Sequence, residues 1–354
     1  MACLNSASAD KTSGTPRLGK YRALITAGGI GTRLLPFSKE IPKEMFPIFA
    51  HEDNGSLQLK PLVQSIFEQL HSVGVRNFYF VVGRGKRAIE DHFCPDPGFL
   101  RYLESKGKLP RSLSEFYEKI RSSNLAFLNQ LEPLGFGDAV LRGRPLINGD
   151  FIVQAGDTFI VSKGNEHLGR LAMMHRKYQA SATILLQEVP DPRQYGVVEG
   201  SYLEDGVLRI RSAVEKPEFP KSNCAIMPVY IFTGAIFDAL SETEPGRDGE
   251  LQLTDAIEKL VLGEKPVIGV KLRSDELRLD LGSPETIIEA LKLSLTHADA
   301  QANERLETES KAMPEIESGP SRINPRPEDP GLKYPPLAHL VRIRKKTASA
   351  KDSP

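Results

Sequence analysis

Short apolar runs alternate with amphipathic stretches through the first half of the chain. Residues 21–26 (YRALIT) are apolar and stop at Ala27-Gly28-Gly29, the pattern of a buried strand ended by a turn. Residues 61–73 repeat their apolar positions at helical spacing until Gly74. A second buried strand is predicted over 77–82, with a short helix over 86–93. A third follows at 125–128, then Gly135-Phe136-Gly137 and a helix over 138–146. A fourth, 151–154, ends near Asp157. Strands alternating with helices imply right-handed βαβ units and a mostly parallel sheet with helices on both faces. Ligands of such sheets gather at the carboxyl ends of the strands, where the glycine turn and Asp157 both fall.

From residue 182 the pattern becomes strand-rich, with runs at 182–189, 196–199, 208–214 and 224–232, and helices return at 253–262 and 284–295. The second half therefore adds strands to the same domain. The expected organisation is a disordered arm over 1–19, one domain over 20–298, and a tail over 299–354. The tail is rich in proline and charge between 315 and 336. It closes with Arg342, Arg344, Lys345 and Lys346, read as a solvated basic cluster. No internal repeat is visible.

Composition narrows the function. The 354 residues carry 46 basic and 46 acidic side chains, so net charge is zero and the basic excess of a nucleic-acid binder is missing. Cys3, Cys94 and Cys224 lie far apart, which fits neither a disulfide framework nor a structural zinc site and favours a reducing compartment. No apolar run approaches the roughly 20 residues that span a bilayer. The first twenty residues also lack the apolar core of a secretory signal, so a cytoplasmic protein with no membrane partner is expected.

Chemistry concentrates in residues 27–47, AGGIGTRLLPFSKEIPKEMFP. Gly28, Gly29 and Gly31 let backbone approach a phosphate, and exposed N–H groups of such a turn make an anion-binding concavity. Arg33 adds a planar fork of donors, and Lys39 and Lys43 add point charges. A bare GGIG is more often a structural turn. It is not a dinucleotide fingerprint, because Leu34 stands where the third glycine belongs, and no Gly-Lys-Ser/Thr exists for a Walker A loop. Pro36, Pro42 and Pro47 keep the segment from forming one helix. Elsewhere, Lys60 and Lys86 read as surface charges, Glu250 as a helix cap, and His167 and His175 as core and surface, with no metal role.

The string G-x-G-T-R-x-x-P followed by K-x-x-P-K-E-M-x-P resembles the sugar-nucleotide pyrophosphorylases, in particular the bacterial type of UTP–glucose-1-phosphate uridylyltransferase. The resemblance continues in order through Lys60-Pro61-Leu62-Val63-Gln64, Lys86 and 89–93 (IEDHF). Beyond these come 135–140 (GFGDAV), 195–198 (YGVV), Glu215-Lys216-Pro217, 250–256 (ELQLTDA) and Asp280-Leu281-Gly282. It implies a Rossmann-like, three-layer α/β nucleotidyltransferase fold with a mixed, mostly parallel sheet. The nucleotide-binding half would be 20–160 and the sugar-binding half 161–298.

Roles follow by position. Gly28, Gly29, Gly31 and Thr32 would lie along the nucleotide with Gly135, Arg33 and Lys43 would face the phosphates, and Glu44 and Gln130 would sit near the uracil. Asp157 and Asp280 would bind Mg2+, and Gly196, Glu215 and Lys216 would take the sugar phosphate. UTP and glucose 1-phosphate are the implied substrates, and a dimer or tetramer of identical chains the implied assembly. The expected reaction is direct attack of the sugar phosphate on the α-phosphorus, which needs no general base because the attacking group is already ionised. Three departures from the pattern keep dTTP open beside UTP. No lysine follows Asp280-Leu281-Gly282 closely, the 50–59 loop is long, and Phe37-Ser38 replaces Ala-Thr. A non-catalytic sugar-nucleotide-binding relative is the alternative of a different class.

Overall fold

The run at 21–26 forms the strand β1 (Arg22–Ala27), and the chain then builds a sheet around it in a computed structural model that describes residues 17–51, 55–246 and 249–312, with side chains to residue 300. A hairpin of β2 (Pro47–His51) and β3 (Leu57–Pro61) leads into α1 (Leu62–Ser72) and β4 (Asn77–Gly83). Next come α2 (Arg87–His92), α3 (Pro97–Ser105), α4 (Arg111–Arg121), β5 (Asn124–Gln130) and α5 (Phe136–Leu141). The chain continues through β6 (Phe151–Ala155), β7 (Thr158–Val161), α6 (Glu166–Lys177), β8 (Ala182–Glu188), β9 (Gly196–Glu204) and β10 (Val207–Glu215). It ends with β11 (Cys224–Phe232), α7 (Ala235–Glu242), α8 (Leu253–Leu262), β12 (Val267–Lys271), β13 (Leu277–Asp280) and α9 (Pro284–Ala312).

Among the described residues, nine strands form the central sheet in the order β5-β4-β1-β6-β11-β8-β12-β10-β9. The first four are parallel, β11 runs against both its neighbours β6 and β8, and β10 runs against β12 and β9. Alternation along β1 divides the core: Ala23 and Ile25 pack with Ile66 and Phe67 of α1, Phe116 of α4 and Leu168 of α6. Leu24 faces the other way, towards Val140 of α5, Phe237 of α7 and Ile257 of α8. The sheet is thus sandwiched between helical layers, as expected for strands that are apolar on both faces.

Register sets the position of the site. Thr26 lies beside Ala155, Ala27 beside Val82, and Gly83 beside Gln130, so β1, β4, β5 and β6 end together. The segments that leave these ends, 28–46, 131–135 and Gly156-Asp157, share one edge. A separate two-stranded ribbon pairs β7 with β13 antiparallel, Thr158 opposite Asp280, and so brings Asp157 and Asp280 together from far apart in the chain.

Several elements differ from the sequence expectation. The helix placed at 138–146 is α5, which stops at Leu141. Pro145 has no N–H to continue a helical ladder and disfavours helical backbone at the residue before it. The helices α3 and α4 were not anticipated; Pro97 starts α3, and Asp96 caps it by accepting from the N–H groups of Gly98 and Phe99. Leu18, within the expected arm, is 2% exposed and belongs to the core, and the compact unit runs to Glu307. Residues 1–16, the proline-rich stretch and the basic cluster lie outside the described residues. Among the described residues no helix is long and apolar enough to cross a membrane.

Candidate active site

The loop after β1 is a chain of short turns set by its prolines and one glycine. Gly31 has φ 72°, a left-handed conformation natural to glycine, and starts a 3-10 turn at Thr32–Leu34. Two more 3-10 turns, Phe37–Lys39 and Lys43–Met45, follow Pro36 and Pro42, and Pro47 opens β2. Gly28 is required for a different reason. A Cβ there would stand 1.9 Å from Gln130 Oε1, so the amide of Gln130 packs where any side chain would be.

The third turn delivers Lys43 to Asp157, with Nζ 2.5 Å from Oδ2. Asp157's charge raises the Lys43 ammonium above its ordinary range, outweighing the opposing effect of burial. Burial alone would raise Asp157; Lys43, through charge and hydrogen bond, overcomes this and leaves the carboxyl below its usual value. Asp280 is pushed up by burial and by the charge of Asp157, although Arg278 lies 3.6 Å away and the Gly282 N–H donates to it at 2.7 Å. Two carboxylates that disfavour each other's charge suit a divalent cation. Magnesium commonly takes one or two carboxylates and completes its shell with water and substrate phosphate. The described residues contain no cluster of three or more His, Cys, Asp or Glu able to hold a metal by themselves.

Glu44, next along the turn, is 1% exposed, and Lys86 donates to it at 2.8 Å. Burial pushes the Glu44 carboxyl up despite Lys86 and Lys43. Lys86, read from sequence as a surface charge, is only 5% exposed, and its burial is explained by this partner. Lys60 is likewise mostly covered and pairs with Glu68 at 2.6 Å, while Lys119 approaches the same carboxylate at 3.1 Å. His167 and His175 are both buried, so neither is a surface residue.

The second half supplies another wall. Gly196 opens β9 directly opposite Glu215, the last residue of β10. Thr254 of α8 donates to Glu215 Oε2 at 2.7 Å, and Lys216 Nζ lies 3.4 Å from Oε1. Arg278 donates to the Tyr195 hydroxyl at 2.9 Å and stacks over its ring at 5.0 Å. By contrast, Arg33 is exposed and has no hydrogen-bond or ion-pair partner among the described residues.

These walls enclose a cavity of about 690 Å³, within the usual size of ligand sites. It is lined by Gly28, Gly29, Gly31, Thr32, Arg33, Lys43, Glu44, Gln130, Gly135, Asp157, Gly196, Glu215, Lys216 and Asp280. Lys39, the other cation nominated in the loop, is exposed, pairs with Glu40 at 3.4 Å and does not line it. Tyr195, Thr254 and Arg278 line it too and had been given no role. Strand alternation could have found Arg278, since it stands two residues before Asp280 and so shares its face. Glu250 also lines the cavity and is not the cap of α8, whose N-cap is Gln252 without a side-chain cap bond.

A mixed, doubly covered sheet with a cation-bearing glycine loop and paired aspartates at its strand ends defines a transferase that handles nucleotide phosphates. The nucleotidyl transferase family model matches residues 22–297, and the chain belongs to this family, whose members generally work with a divalent metal ion. The UTP–glucose-1-phosphate uridylyltransferase of Bacillus subtilis is 40% identical over 250 residues, covering 68% of this chain and 80% of that protein. The enzyme of the same name from Pseudomonas aeruginosa is 35% identical over 275 residues, 76% of this chain and 94% of its own. A solved UDP-glucose pyrophosphorylase complexed with UDP-glucose superposes with a TM-score of 0.66 at 34% identity, covering 78% of this chain and 99% of that one.

Proposed function

We propose that this chain joins UTP to glucose 1-phosphate, yielding UDP-glucose and pyrophosphate. The observation that carries this reading is the single cavity shared by the 28–31 turn, Arg33, Lys43, the Asp157–Asp280 pair, Glu215 and Lys216. The names of relatives at 35–40% identity support it.

A phosphate oxygen of the sugar 1-phosphate attacks the α-phosphorus of the nucleotide. As that P–O bond forms, the bond to the bridging oxygen breaks and pyrophosphate leaves with the electron pair. The attacking phosphate is ionised at neutral pH, so the site needs no general base. Its task is to bring anions together and hold them in line. Arg33, free of protein partners among the described residues, and Lys43, kept protonated by Asp157, face the phosphates. Gly28, Gly29, Gly31, Thr32 and Gly135 lie along the nucleotide, and Gln130 and Glu44 meet the base side. Gly196 and Glu215 bind the sugar, and Lys216 its phosphate. Asp157 and Asp280 would hold Mg2+, which supplies neutralisation of phosphate charge when bound. The proposal extends to a homo-oligomeric, cytoplasmic enzyme, the assembly to be checked by light scattering.

The test is pyrophosphate release with Mg2+, crossing UTP, dTTP, GTP, CTP and ATP with the 1-phosphates of glucose, mannose, galactose and N-acetylglucosamine. A dominant UTP–glucose pair supports the proposal. A dTTP preference would replace it with thymidylyl transfer, the second reading, favoured by the Asp280-Leu281-Gly282-Ser283-Pro284-Glu285 ending that lacks a lysine. No release by folded, nucleotide-binding protein would indicate a non-catalytic relative.

A further inference from the structure

Gln130 is buried at the end of β5, and its amide nitrogen has two protein neighbours. Nε2 donates to the Gly135 carbonyl at 3.0 Å and to Asp138 Oδ2 at 2.8 Å. A carbonyl oxygen and a carboxylate can only accept, so the amide atom facing both of them must be the NH2 group. The carbonyl oxygen Oε1 is thereby turned towards Gly28 and the cavity, and among the described residues nothing donates to it. Asp138 is itself held: Arg142 donates to Oδ1 at 2.8 Å and, through Nε, to Oδ2 at 3.3 Å. Asp138 is 7% exposed, so its charge is supported by these contacts more than by water. An ordinary helical ion pair between residues four apart would leave both groups in solvent and touch nothing else. Here the carboxylate has a third contact, with a residue of the cavity wall.

We infer that Asp138, braced by Arg142, is a positioning residue that fixes the polarity of the Gln130 amide, so that the site accepts a pyrimidine bearing an N3–H and rejects one whose N3 is a lone pair. This rests on the proposed nucleotidyl transfer and names the feature of the base that is read. Uracil and thymine donate N3–H to a fixed carbonyl oxygen. Cytosine places an acceptor against it, which leaves both atoms unsatisfied and mutually repulsive. Thymine passes the same filter as uracil, so the discrimination set here is UTP and dTTP against CTP.

Asp138→Asn separates this role from a merely structural one. The carbonyl of the substituted side chain is drawn to Arg142, and its NH2 then faces the Gln130 NH2, donor against donor. This leaves the Gly135 carbonyl alone to hold the amide's orientation and admits the flipped form. The readout is kcat/KM for UTP, dTTP and CTP with glucose 1-phosphate in the full chain. The UTP-to-CTP ratio is expected to fall about tenfold or more in Asp138→Asn, with dTTP following UTP, and Asp138→Leu is expected to fall less. Gln130→Met should lower the ratio as well, and adding Asp138→Asn to it should change the ratio no further. A parallel loss for all nucleotides, with the ratio kept, overturns the inference. Should Asp138→Asn fail to fold, Asp138→Leu removes the carboxylate alone, and an unchanged ratio there overturns it equally. A wild-type chain that uses neither UTP nor dTTP would refute the underlying function. A wild-type chain that prefers UTP while Asp138→Asn keeps its ratio would refute only the role of Asp138.

Discussion

Replacing Lys43 by methionine keeps most of the apolar stem and removes the charge that neutralises Asp157. The two groups meet at 2.5 Å, and their side chains retain only 17% and 22% of their exposure. Breaking one side of a buried pair costs roughly 3–5 kcal/mol, because the remaining charge loses its partner without regaining water. The residual exposure of both groups places this pair at the low end, about 3 kcal/mol. Urea denaturation measures that loss. The double variant Lys43→Met/Asp157→Asn removes the stranded charge as well and should recover most of the stability. Activity should behave differently. If Lys43 acts on the phosphates, turnover falls by about 10²–10³ in the single variant relative to wild type, whereas the double variant, which also loses the Asp157 carboxylate placed at the metal, is read for stability alone. Initial rates of pyrophosphate release at saturating substrates provide that comparison. Wild-type turnover in Lys43→Met would refute the catalytic role, and a double variant as unstable as the single would refute the account of a stranded buried charge.

Gly28→Ala places a Cβ 1.9 Å from Gln130 Oε1, so the amide must move and the nucleotide KM should rise by about tenfold or more; an unchanged KM would show that the base does not depend on Gln130. Glu215→Ala should chiefly raise the KM for glucose 1-phosphate, and a fall in turnover alone would move Glu215 out of the sugar site. His167 is fully buried, neither ring nitrogen has a hydrogen-bond partner among the described residues, and burial lowers its pKa from the usual 6.5 to about 3. Between those values the unfolded chain binds a proton that the folded chain does not. The stability tied to His167 is therefore complete above pH 6.5 and is lost as pH falls through this window, by about 1.4 kcal/mol per unit. His167→Leu should reduce the acid slope of stability by that one proton, and an unchanged slope in pH-dependent denaturation would count against it.

What the sequence determined by itself was local in origin. The apolar runs that became β1, β4 and β6 were visible because a strand covered on both faces must be apolar at nearly every position, while β5, at the sheet edge and mostly half-buried, showed only the apolar centre 125–128. The glycines and prolines of 28–47 declared a turn-built loop, and the ordered motifs carried the family and the residues that line the cavity. Tertiary structure decided whatever depended on a partner distant in the chain. Lys86 and Lys60 look like ordinary surface cations until folding places Glu44 and Glu68 against them, since burial of a charge is governed by its counter-charge and not by its neighbours in sequence. The antiparallel pairing of β7 with β13 sets Asp280 beside Asp157, and four-residue strands with mixed burial leave little periodic signal. The polarity of the Gln130 amide belongs to the same group. A glutamine side chain can donate or accept, and only the acceptors that folding gathers around its nitrogen, Asp138 and the Gly135 carbonyl, determine which end meets the ligand.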